Sequence, residues 1–180
     1  MNFRKKKIDV NEYAGLLNDA IGKGILLNTQ DEKFNSMVIG WGHLGRIWNL
    51  PTYVVYVRES RFTKEALDKT GEFTVSAPLS GIDPKIQQVC GSLSGRDVDK
   101  VKEAGLILED PEINHVPGIR QYPLTLECRV LYSQKQDPKA IPAEILEKFY
   151  PQNCSLPGAE DGRDVHTAYI GLIEDAYIIE

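Results

Sequence analysis

Three short stretches combine hydroxyls, cations and glycines in ways that can hold an anion. Val57 to Leu67 reads VRESRFTKEAL, leaving an apolar run and entering a helical pattern. Arg58 and Arg61 bring positive charge and Ser60 and Thr63 bring hydroxyls, while a helix start adds unpaired N–H groups at the positive end of its dipole. Together they make a phosphate cradle. The plainer reading is that Thr63 caps the helix and the arginines are solvated.

Cys90 to Lys100, CGSLSGRDVDK, has the same grammar. Ser94 and Asp97 stand at capping-box spacing, so SGRD predicts a helix start that Val98, Val101 and Ala104 anchor and Gly105 ends. Arg96 and Lys100, four apart on that helix, share a face and can converge on one anion. Asp97 and Asp99 can equally neutralise them. The third stretch, NSMVIGWG from Asn35 to Gly42, is a strand with glycines at 40 and 42, which marks either a close backbone approach or a bulge. Trp41 and Trp48 can stack on a planar ring or sit in a core.

His43, His115 and His166 lie at no metal-ligand spacing, and no metal site is expected. His166, two residues after Asp164, can give a proton or contact a ring, with a structural histidine as the default. GxSxG and Walker signatures are absent.

The chain that positions these groups has 180 residues, enough for one domain with a core. Its net charge of -5 argues against nucleic acid or an acidic membrane as partner. Three cysteines without CxxC spacing fit a reducing cytoplasm. No apolar stretch follows the basic residues Arg4 to Lys7, and no run approaches the ~20 residues of a membrane helix. A soluble, cytoplasmic, single-domain protein is expected over 1–180, with a basic tail at 1–8 and a surface loop at 151–164.

Asp9 and Glu12 predict the start of an amphipathic helix through Tyr13, Leu16, Leu17, Ala20 and Ile21. GILLNTQ, FNSMVIGWG, TYVVYVR, EFTVSAP, PLTLECRVLY and HTAYIGLIEDAYII read as six strands. RFTKEALDKTG, Pro84 to Gly105 (broken near GSLSG) and PAEILEKFY read as helices. Strands interrupted by single helices do not alternate as a doubly wound sheet does, so a small antiparallel barrel with attached helices is expected.

In this order, NSMVIGWG, VRESRFTKEAL, GEFTVSAP, CGSLSGRDVDKVKEAGL and DVHTAYIGLIEDAYII resemble the flavin reductase-like family of FMN-binding split-barrel proteins, which includes the flavoredoxins. The resemblance implies a mainly β, six-stranded antiparallel Greek-key split barrel with attached helices, forming a homodimer with FMN near the interface. It implies that Asn35, Ser36, Met37, Val38, Ile39, Gly40 and Trp41 run along the flavin ring. It places Arg58, Ser60, Arg61 and Thr63 at the phosphate, Ser94, Gly95, Arg96, Asp97 and Lys100 close to the cofactor, and His166 at the nicotinamide. The activity implied is NAD(P)H-dependent flavin reduction, with NADH or NADPH as donor and a small molecule or redox protein as electron partner. A flavoredoxin-like carrier and a non-catalytic FMN-binding module are the alternatives. The chain departs from relatives in having Val165 in the last motif and Glu59 beside the phosphate loop.

Overall fold

The computed structural model describes residues 4–155, 159 and 161–180. The chain forms β1 (Lys5–Lys7), a 3-10 turn (Val10–Tyr13), α1 (Ala14–Ile21), β2 (Ile25–Gln30), β3 (Phe34–Ile39), β4 (Gly42–Ile47) and β5 (Leu50–Arg58). Next come α2 (Phe62–Thr70), β6 (Glu72–Ala77), α3 (Pro84–Ser92), α4 (Lys100–Ala104) and the two-residue strands β7 (Leu108–Glu109) and β8 (Gly118–Ile119). β9 (Leu124–Lys135), α5 (Ala143–Phe149) and β10 (His166–Ile179) complete it.

One antiparallel sheet carries the fold, in the order β3-β2-β6-β9-β10-β5-β4, with β1 added to β10. All six strands expected from the sequence are present. Two more join them. β4 pairs with β5 through a two-residue turn, Trp48 and Asn49, both at positive φ, which is the twist that a tight hairpin needs. β1 is a correction to the basic tail: Lys5, Lys6 and Lys7 pair with Ile179, Ile178 and Tyr177.

The sheet wraps one core to which β2, β3, β5, β6, β9 and β10 all contribute, with Phe73 and Tyr169 among its largest side chains. β10 bends over it at register shifts after Ile170 and Ile173. At the first shift Gly171 admits Phe73, whose ring would meet any Cβ there at 2.5 Å. β2 is buried on both faces because a second cluster, including Leu26, Ile86 and Cys90, packs beneath α3 and α4.

Helix ends depart from expectation in instructive ways. Asp9 caps the 3-10 turn, accepting from Asn11 N at 2.9 Å, and α1 begins only at Ala14. Asp99, not Ser94, caps α4, accepting from Val101 and Lys102 N–H groups. Thr63 is not the cap of α2 either: Arg61 holds that position without a side-chain bond. Gly71, at φ 67°, ends α2 as expected.

Candidate functional site

β3 lies at one end of the sheet order, so its outer edge pairs with no strand among the described residues. The β5–α2 turn and the α3–α4 loop close over that edge and leave two adjoining cavities. The inner one, about 120 Å³, is lined by Asn35, Ser60, Arg61, Thr63, Ser94, Gly95, Arg96 and Lys100, with Phe62, Cys90 and Leu93 as apolar wall. The second, about 180 Å³, is lined by Ile39, Gly40, Trp41, Tyr56, Arg58 and His166. Met37, Val38 and Arg61 belong to both.

The inner cavity has unused donors. Since no side chain caps α2, its first N–H groups stay open at the positive end of the helix dipole. Thr63 is buried and its Oγ1 accepts from Asn35 Nδ2 at 2.9 Å, which leaves the hydroxyl proton to give. Asn35 Oδ1 is buried without a partner. The Arg61 guanidinium makes no hydrogen bond or ion pair among the described residues.

Lys100 is buried, and its ammonium donates to Ser36 O at 2.8 Å and Cys90 O at 3.2 Å. Burial lowers its pKa, the Cys90 thiol counters this, and the nearby Arg61 charge lowers it further. Gly95 is required by closeness: a Cβ there would run into Asn35 Oδ1 and come within 2.7 Å of Phe62 Cδ1. These donors, converging without a carboxylate on the lining, fit a phosphate.

The second cavity is walled by rings. Trp41 lies 4.5 Å from the His166 ring, with Phe149 and Tyr150 edge-on to the indole. Arg58 fixes this wall, donating to Asp164 O at 2.8 Å and to Phe149 O at 2.9 Å. Asp164 in turn accepts from Ser60 N at 3.0 Å and Ser60 Oγ at 2.6 Å. Burial and the Arg58 charge push His166 down to about 4, so the imidazole is neutral at pH 7. A partly apolar slot walled by rings beside an unpaired strand edge fits a planar heterocycle.

The profile of the flavin reductase like domain matches residues 29–180. The chain belongs to that family. An uncharacterized protein of Archaeoglobus fulgidus is 31% identical to this flavin reductase-like chain over 77 residues, which is 43% of either protein. The structure of flavoredoxin from Methanosarcina acetivorans is similar at 27% identity and TM-score 0.61, covering 86% of this chain and 67% of that one. An FMN-binding domain of a flavin reductases-like enzyme from Shewanella baltica is similar at 16% identity and TM-score 0.66, covering 99% and 78%.

Most of the residues that the sequence singled out line these cavities in the flavin reductase-like fold. Two, Ser36 and Asp97, lie outside both linings, and two on the linings, Arg58 and Ser60, are engaged with the wall rather than open to a ligand. Arg58 braces the ring wall on the far side from the phosphate donors, and the Ser60 hydroxyl is committed to Asp164. Ser36 is fully buried and offers its carbonyl to Lys100. Asp97 is exposed in a turn outside both linings. The helix-face argument for Arg96 and Lys100 also fails, because α4 starts only at Lys100 and Arg96 turns to Glu65.

Trp48 sits 64% exposed at the hairpin tip, away from any ring or core. Glu59 faces away from the cavities, toward the Thr167 hydroxyl and Lys64. The sequence reading missed Tyr56, Phe62, Phe149 and Tyr150. Tyr56 was legible as part of the TYVVYVR alternation, but nothing local marked Tyr150, whose role depends on where α5 ends.

Proposed function

We propose that this chain is an FMN-binding flavoprotein working as an NAD(P)H-dependent flavin reductase. The observation that carries the reading is the continuity of the two cavities through Met37, Val38 and Arg61. An anion site at one end opens onto a slot for a planar ring at the other, the shape of a heterocycle joined to one phosphate.

Arg61, Thr63, Lys100 and the α2 N-terminus would hold the phosphate, and the free edge of β3 would read the polar rim of the ring. FMN, when bound, supplies the hydride and electron chemistry. Trp41, backed edge-on by Phe149 and Tyr150, would wall one side of the slot. His166 Nδ1 lies 2.8 Å from the Tyr150 hydroxyl, which donates to Gln136 Oε1 at 2.9 Å. The Nδ1 proton therefore bonds the tyrosine oxygen, and Nε2 is an acceptor. A neutral acceptor suits the carboxamide of a nicotinamide better than proton donation does.

A flavoredoxin-like electron carrier is the second reading, favoured by the 27% identity to the Methanosarcina acetivorans protein. Anaerobic NADH or NADPH bleaching of the flavin band separates the two. Fast bleaching is the expected result. A flavin that only a reduced redox protein bleaches would make the chain a carrier, and one that neither bleaches would make it a binding module. A homodimer in a reducing cytoplasm belongs to the proposal, consistent with three free cysteines, and sedimentation tests the dimer.

A further inference from the structure

Two exposed arginines line the inner cavity, in opposite conditions. The Arg61 guanidinium has no partner among the described residues. Every nitrogen of the Arg96 guanidinium already donates: Nε to Glu65 Oε1 at 3.1 Å, Nη2 to the same oxygen, and Nη1 to Ser60 O at 3.2 Å. Its Cζ also lies over the Phe62 ring, 5.5 Å from the centroid. Arg96 therefore grips residues 60, 62 and 65, on either side of the Arg61 that stands at the head of α2.

This grip completes the fastening of Ser60. Asp164 accepts from Ser60 N at 3.0 Å and from its Oγ at 2.6 Å, and Arg96 donates to its carbonyl, so each polar atom of Ser60 is taken. The β5–α2 turn is thus clamped from two sides, by the residues that lead into β10 and by the α3–α4 loop. The loop is held in its turn: Lys33 donates to Gly95 O, and Ser94 Oγ accepts from Arg96 N at 3.1 Å. What the clamp orients is the uncapped start of α2, with its open N–H groups, Arg61 and Thr63.

We propose that Arg96 is a positioning residue, which aims the start of α2 at the anion through Ser60 and Phe62 and leaves contact with the anion to Arg61, Thr63 and Lys100. The inference rests on the flavin reading above and divides the two arginines of that site by role. To bond a phosphate, Arg96 would have to release Glu65 or Ser60 O, and releasing Ser60 O loosens the turn that carries the other donors. A guanidinium suits the task because its planar fork spans a carboxylate and a carbonyl together, whereas an ammonium acts as a point charge.

The test is titration of the full chain, stripped of flavin, with FMN and with riboflavin, which has the same ring and no phosphate, read by flavin fluorescence. Glu65 is outside the inner lining, and Glu65→Gln frees Arg96 while removing a negative charge near the site. Were Arg96 a ligand, or charge alone the determinant, this variant would bind FMN more tightly. Positioning gives the opposite sign: FMN should bind about fivefold more weakly, with riboflavin affinity and melting temperature unchanged. Arg96→Lys keeps the charge without the fork and should lose as much. FMN affinity that is unchanged or tighter in Glu65→Gln overturns the inference, as does full affinity in Arg96→Lys. Parallel losses of FMN and riboflavin would make Arg96 a general brace of the fold and overturn it too. A folded wild type that binds neither compound sinks the flavin reading itself, a result distinct from all of these.

Discussion

The Tyr150 hydroxyl lies 2.8 Å from His166 Nδ1, so the residue that ends α5 sets which nitrogen of the first residue of β10 is free. The imidazole is held at about 4, against an ordinary value near 6.5, by burial and by the Arg58 charge. Between those values the unfolded chain binds a proton that the folded chain refuses. Stability from this group is therefore complete above pH 6.5 and declines as pH falls toward 4, by up to about 3 kcal/mol. Denaturant midpoints at pH 7 and pH 4.5 should fall less in His166→Gln than in wild type. Equal declines would place the loss in other groups.

Tyr150→Phe removes the hydroxyl and leaves Nδ1 without its partner. We expect a stability loss of about 1 kcal/mol and a shift toward the Nε2–H tautomer, seen in the imidazole nitrogen resonances. FMN affinity should stay within about threefold, since phenylalanine keeps the ring against Trp41 and Tyr150 lines neither cavity. Unchanged nitrogen resonances would show that Tyr150 does not set the tautomer.

Asp164→Ala should loosen the site at a distance. It removes the acceptor of two bonds from Ser60, with an expected cost of about 1.5–3 kcal/mol because the acceptor is ionised. Thermal unfolding measures this directly. An unchanged melting temperature would mean the Ser60 contacts contribute nothing net.

Thr63→Val keeps the shape of a buried side chain but cannot donate or accept. FMN should bind about tenfold to a hundredfold more weakly, the cost of one lost donor to a phosphate. Retained affinity would take Thr63 out of the anion site.

Gly95→Ala puts a methyl against Asn35 Oδ1 and 2.7 Å from Phe62 Cδ1. The loop has to move, and FMN affinity should fall at least about tenfold while circular dichroism stays native. Full affinity in this variant would show that the loop yields without cost.

The sequence showed the strands better than the helix starts, for a physical reason. Burial on one or both faces writes the strand pattern into many residues, as in β2 and β10. A cap depends on a single bond with several candidate acceptors, and Asp99 outcompeted Ser94 for the head of α4. β1 was invisible because three consecutive lysines carry no apolar alternation to mark a strand, and their partners on β10 are distant in the chain. The phosphate end of the site was legible because local order in the chain brings Arg61 and Thr63 together. Its ring wall was not, since Arg58, Phe149, Tyr150 and His166 meet only through long-range packing.

The double hold of Arg58 on Phe149 O and Asp164 O bears on how such a chain can diverge. Both ends of the intervening stretch are fastened to β5, and Arg163 near its end donates to Tyr150 O as well. A change of length between Cys154 and Gly162 leaves these holds on the aromatic wall in place. That stretch is a natural point for inserting a tag, or for a descendant protein to acquire a new partner while its chemistry stays unchanged.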